Sequence, residues 1–170
     1  MKFFTALLTA LFLFGLAVGA ADAQKRELTV IVFRHADKEA ETEGDESEPD
    51  ISVEGQKRAV RLVKVLEKYR PARLFSTGYA RTVQTVTPLS RIKNLPIESY
   101  EGDLKALADK ILASEDKRTI AVVGLNSTNY ELVNLLLKEK KYTMTDESDY
   151  GKIWILRIKD GKVKDKVITY

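Results

Sequence analysis

Two periods of apolar spacing alternate along the chain. Leu28-Thr29-Val30-Ile31-Val32-Phe33 is a nearly unbroken apolar run that ends abruptly in Arg34-His35-Ala36-Asp37-Lys38. A run of this kind fits a strand buried on both faces, and its polar end places a cation and an imidazole at the carboxyl edge of a parallel sheet, where open α/β folds bind ligands. Thr119-Ile120-Ala121-Val122-Val123 is a second such run, and Arg73-Leu74-Phe75 is a shorter strand candidate. Helical spacing fills the intervals. Ser52 reads as an N-cap with Glu54 in the first turn, and Val60, Val63 and Leu66 with Leu62, Val65 and Tyr69 form an apolar stripe that stops before Pro71. Further helices are predicted over Thr82 to Ser90, absorbing Pro88, over Leu104 to Ala113, and over Tyr130 to Lys138. Near the end, Ile153-Trp154-Ile155-Leu156 and Val163 to Tyr170 flank Asp160-Gly161, the signal of a hairpin. Alternating strands and helices imply right-handed crossovers. The expected fold is a three-layer α/β/α sandwich with a mainly parallel sheet and antiparallel C-terminal edge strands.

The ends of the chain change this picture in one respect. Lys2, the uncharged apolar run Phe3 to Val18, and the small-x-small sequence Ala21-Asp22-Ala23 have the order of a secretory signal peptide. The run is shorter than the roughly 20 residues of a spanning helix. Residues 1–23 are therefore expected to be cleaved, leaving one domain over 24–170 that is exported, periplasmic or secreted, with no stable membrane anchor. The chain has no cysteine, so neither a lipidated N-terminus nor a disulfide is available, and apolar burial alone must hold the core. A net charge of +3, unchanged by the loss of Lys2 and Asp22, is too mild to indicate a nucleic-acid partner. Oligomeric state has no readable signal; Tyr150 and Trp154 read as edge-strand packing, with a dimer contact as the alternative. Glu39 to Asp50 carries seven carboxylates and reads as a solvated loop, without the ligand spacing of a calcium site.

His35 is the sole histidine. Paired imidazoles, thiolates and His-rich zinc sites are thus excluded by inventory. Three segments follow predicted strands and would converge at one edge: residues 34–38, 76–82 and 124–128. Arg34 and Arg81 would face one crevice with His35 and several hydroxyl or amide donors, a set suited to a phosphoryl group, since guanidinium forks meet phosphate oxygens bidentately. No metal or other cofactor is required, because the arginines already supply positive charge.

These segments resemble those of the histidine phosphatase superfamily, the phosphoglycerate-mutase-like group, and most closely its short single-domain bacterial members. Arg34-His35-Ala36 resembles the Arg-His-Gly/Ala signature, Ile51-Ser52-Val53-Glu54-Gly55 with Ala59 the Leu-Ser-x-x-Gly-x-x-x-Ala helix start, and Ser76 through Arg81 to Thr85 the Ser-x-x-x-x-Arg-x-x-x-Thr segment. The resemblance implies a phosphohistidine mechanism: His35 attacks phosphorus, Arg34 and Arg81 hold the phosphoryl oxygens, and water releases phosphate. It implies a small phosphorylated substrate, or a phosphorylated side chain, as partner. Of the carboxylates Glu98, Glu101 and Asp103, Glu101 is preferred as general acid, Asp103 being more simply a helix N-cap. Asp37 and Lys38 either touch substrate or pair at the loop root.

The chain departs from the family where a second histidine normally follows the strand ending at Gly124. That position is Leu125. By analogy with an oxyanion-hole donor, its loss is worth roughly 3–4 kcal/mol of transition-state stabilisation, about a hundredfold to a thousandfold in rate. Asn126 is a candidate neutral donor to phosphate; capping the next helix is its plainer role. The expected function is a weakened exported phosphomonoesterase. The alternatives are a non-catalytic phosphate-ligand binding pseudophosphatase and a stoichiometric phosphohistidine carrier.

Overall fold

The computed structural model describes residues 27–40, 48–114 and 118–170; the predicted signal peptide and most of the acidic loop lie outside them. Six strands form one sheet: β1 (Leu28–Arg34), β2 (Pro71–Ser76), β3 (Ile97–Ser99), β4 (Thr119–Gly124), β5 (Lys152–Lys159) and β6 (Lys162–Thr169), in the order β3-β2-β4-β1-β5-β6. The pairs β1–β4, β2–β4 and β2–β3 are parallel, while β5 runs antiparallel to β1 and β6 to β5. Among the described residues four helices connect them: α1 (Val53–Glu67), α2 (Ala80–Lys93), α3 (Leu104–Leu112) and α4 (Asn126–Leu137).

The sheet is covered on both faces, which explains why β1 lacks polar alternation. Val30 and Val32 pack with Phe75, Val122 and Trp154 against Ile111 of α3 and Leu132 and Leu136 of α4. Ile31 and Phe33, pointing the other way, pack with Leu74, Val123 and Ile155 against Leu62 and Leu66 of α1 and Val86 and Leu89 of α2. The three-layer sandwich with antiparallel C-terminal strands is thus the observed architecture.

Local chemistry sets the element ends. Ser52 caps α1, its hydroxyl accepting from the Gly55 N–H at 3.1 Å. Asp160 and Gly161 both have positive φ (51° and 74°), the geometry of a primed two-residue turn whose twist matches the flanking strands. Helix α2 runs past Pro88 to Lys93, longer than the spacing predicts. Strand β3 was not expected: its three residues are too short to show a period.

The connections leaving β1 and β4 pass over opposite faces of the sheet, α1 on one side and α4 on the other. The carboxyl ends of these adjacent strands, with Arg34 beside Gly124, therefore bound a topological switch point.

Candidate active site

His35 follows β1 directly and extends its ladder, its N–H donating to the Gly124 carbonyl at 3.0 Å. The residue is only 3% exposed. Nδ1 lies 2.7 Å from the Ala36 carbonyl oxygen. Only an N–H can face a carbonyl at that distance, so Nδ1 carries the proton and Nε2 keeps its lone pair. Burial, aided by the charges of Arg34, Arg81 and Lys38, pushes the imidazole from 6.5 down to about 4 against the effect of the Ala36 hydrogen bond. The ring is neutral at physiological pH.

Three contacts hold this loop. The Ala36 N–H donates to Thr85 Oγ1 at 2.8 Å, and that hydroxyl donates to the Arg81 carbonyl at 2.7 Å, so one side chain of α2 ties both active segments together. The Asp37 carbonyl accepts from the Ser52 N–H at 2.9 Å. A Cβ on Gly55 would lie 2.2 Å from that same carbonyl oxygen, so α1 can approach only because this residue has no side chain. The Asp37 carboxylate pairs with Arg58 of α1, Nε to Oδ2 at 2.5 Å. Partial burial pushes the carboxyl up, but the Arg58 hydrogen bonds and charge more than reverse this, leaving it below its usual value. For Asp37, the ion pair at the loop root is the observed arrangement. Gln84, adjacent to Thr85, accepts from the Ile51 N–H at 2.9 Å and completes the seam between α2 and the loop.

Arg81 stands in the first turn of α2, its guanidinium 4.5 Å from the centre of the Tyr79 ring. A cation at a helix N-terminus opposes the macrodipole, a local conflict typical of a functional position. The hydroxyls of Ser76, Thr77 and Thr82 bond to carbonyls and to one another within residues 76–82; they build the turn that presents Arg81.

Arg34 is buried and points into the segment leading to β5. Its Nη1 donates to the Glu147 carbonyl at 2.8 Å and its Nη2 to the Glu147 carboxylate at 2.5 Å. The Tyr150 ring lies 4.2 Å from the same guanidinium and meets the His35 ring edge-on at 5.7 Å. Asn126, 6% exposed, donates from Nδ2 to the Thr145 carbonyl (2.7 Å) and to Glu147 Oε1 (2.9 Å), while its Oδ1 accepts from the Thr145 hydroxyl at 2.7 Å. Its amide therefore anchors this segment. The N-cap of α4 is Leu125, whose N–H donates to Thr128 Oγ1 at 3.1 Å and whose half-buried side chain offers no polar group.

Arg34 and Arg81 thus both act on the His35 imidazole through their charge, and the structure adds Glu147, which the sequence reading did not include, and Tyr150, which packs on Arg34 and His35 where the sequence suggested edge-strand packing or a dimer contact. The missed signal was the hairpin. An antiparallel β5 beside β1 starts at the edge where β1 ends, so the residues preceding β5 reach the site. Trp154 is buried in the core against Tyr142. Glu101 is exposed after β3, and its backbone carbonyl accepts from the Asp103 N–H; Asp103 caps α3, accepting from the Ala106 N–H at 2.8 Å. Glu98 pairs with Arg73 at 2.6 Å. Among the described residues no group of three or more His, Asp or Glu side chains is placed to hold a metal ion.

Comparison with known proteins agrees with this geometry. Residues 30–102 match the family model of the histidine phosphatase superfamily (branch 1). No curated protein sequence matches significantly. Among solved structures, the chain is similar to the protein histidine phosphatase SixA complexed with tungstate (TM-score 0.68, 16% identity, covering 84% of this chain and 97% of that one). It is also similar to a protein described as mycobacterial hydrolase 1 (0.65, 12%, 85% and 98%) and to mycobacterial glucosyl-3-phosphoglycerate phosphatase (0.62, 14%, 85% and 99%).

Proposed function

We propose that the chain is a member of the histidine phosphatase superfamily, whose family model matches residues 30–102, and that it is a phosphomonoesterase working through a phosphohistidine at His35. The observation that carries this reading is the hydrogen bond from Nδ1 to the Ala36 carbonyl, which leaves Nε2 unprotonated on a ring that feels the charges of Arg34 and Arg81. Nε2 attacks phosphorus, the P–O ester bond breaks, and the leaving oxygen takes up a proton. Water then attacks the phosphorus of the N–P intermediate, regenerating the imidazole and releasing phosphate. Arg34 and Arg81 offset the charge that accumulates on the equatorial oxygens. Glu101 remains the proposed donor to the leaving group, reaching it from the exposed turn after β3. The domain is proposed to act outside the cytoplasm after removal of residues 1–23, on a small phosphate ester or a phosphorylated side chain.

Leu125 sets the expected level of activity. A leucine can neither donate to the phosphoryl group nor balance its charge, so turnover is slow. The same residue favours the second reading, a phosphate-binding protein that has lost catalysis; in the third, His35 is phosphorylated but not hydrolysed. Hydrolysis of an aryl phosphate separates them, because its good leaving group needs no acid. Low activity should be abolished in His35→Ala and raised in Leu125→His by about a hundredfold. Residual activity unchanged in His35→Ala overturns the catalytic reading, whereas phosphate binding without turnover favours the second.

A further inference from the structure

The nucleophile is covered by a segment of its own chain. Glu147 and Tyr150, from the segment before β5, lie against Arg34, and the Arg34 guanidinium has no hydrogen-bond partner among the described residues other than Glu147. Its Nε is buried with no hydrogen-bond partner among the described residues. The Glu147 carboxylate bridges two donors, Arg34 Nη2 through Oε2 and Asn126 Nδ2 through Oε1. Charge-assisted donors converging on two oxygens of one planar anion are also what a bound phosphoryl group needs. The two ends of this contact differ: the Arg34 side chain is 5% exposed, the Glu147 side chain 70%. The arginine is fixed in the floor, and the carboxylate reaches it from solvent.

We propose that Glu147 is an internal competitor for the phosphate site: its carboxylate occupies Arg34 in the resting protein, and a phosphoryl ligand binds by displacing it. The inference rests on the reading of Arg34 as a phosphate ligand and adds a residue that sets affinity and selects among anions. The Asn126 hydrogen bond, and after it the charges of Arg34 and Lys38, hold the Glu147 carboxyl below its usual value, so the competitor is ionised whenever substrate is a dianion. A ligand must exceed a tethered carboxylate in charge and in the number of oxygens it presents. Dianionic phosphoryl groups do so; carboxylates and sulfate monoesters do not.

The test compares the full chain with Glu147→Gln, which preserves shape and removes charge. Calorimetric titration with inorganic phosphate at pH 8 should give a Kd about tenfold lower in the variant, the factor expected if the resting site is about nine-tenths occupied by its own carboxylate. With an aryl phosphate, KM should fall while kcat changes less than about twofold. A structural anchor would behave oppositely, because loosening the segment would weaken binding. Unchanged or weaker phosphate affinity in a variant with native circular dichroism overturns the proposal, as does failure of both proteins to bind phosphate. The catalytic reading fails separately: a protein that binds phosphate more tightly as Glu147→Gln yet hydrolyses nothing keeps the competitor and loses the enzyme.

Discussion

At the scale of single residues the site is organised around a histidine that folding keeps neutral. The unfolded chain protonates this imidazole near pH 6.5, whereas the folded protein resists protonation until about pH 4. Between these values the unfolded state binds more protons, so stability that is fully present above pH 6.5 is lost as pH falls toward 4. The depression corresponds to roughly 3 kcal/mol for a residue this buried. Urea unfolding of the natural protein should therefore show stability falling through this window, and His35→Ala should lack that part of the slope; parallel pH curves for the two proteins would contradict the depressed value. Leu125 is legible at the same scale, because a missing histidine in a chain that has only one is visible by counting. The Glu147–Arg34 pair is not, since nothing local to Thr145-Asp146-Glu147-Ser148 names a partner more than a hundred positions away.

At the scale of elements, the motifs turn out to be joints. Ser52 and Gly55 let α1 grip the Asp37 carbonyl, and Thr85 lets α2 grip Ala36, so the nucleophile is positioned by two helices, one of which also carries Arg81. Replacing a helical glycine by alanine ordinarily stabilises by up to about 1 kcal/mol. In Gly55→Ala the new methyl would meet a backbone oxygen at 2.2 Å, so the sign should reverse. A lower denaturation midpoint and reduced aryl phosphatase activity are expected, and a midpoint at or above the natural protein's would show that the joint is slack. This scale was also the most readable in sequence. Buried runs announced β1 and β4, a cap and stripe announced α1, and Asp160-Gly161 announced the hairpin. The start of α4 escaped because Asn126-Ser127-Thr128 has weak helix propensity; its first turn is held instead by the Leu125 N–H on Thr128 and by Asn126 bonding outward to Thr145 and Glu147.

At the scale of the molecule, the sheet has two unlike edges. β3 is three residues long and offers little backbone to pair with, while β6 presents eight residues to solvent. Unprotected, such a strand invites pairing with a second copy, and charged side chains, lysine above all, are a recurrent defence. The period of two places Lys162, Lys164 and Lys166 on one face, and the register sets Lys162 opposite Lys159 and Lys164 opposite Arg157. Like charges directly opposed cost about 0.2–1 kcal/mol per pair, so the arrangement sacrifices stability within the monomer. Replacing all three lysines with threonine removes that repulsion and adds β-propensity. Two changes should follow together: a higher melting temperature at low protein concentration, and sedimentation that becomes concentration-dependent as exposed edges pair. If the triple variant gains stability and its sedimentation stays as independent of concentration as the natural protein's, the cations do not guard the edge. If it loses stability, the cross-strand repulsion is already absorbed by solvent and salt.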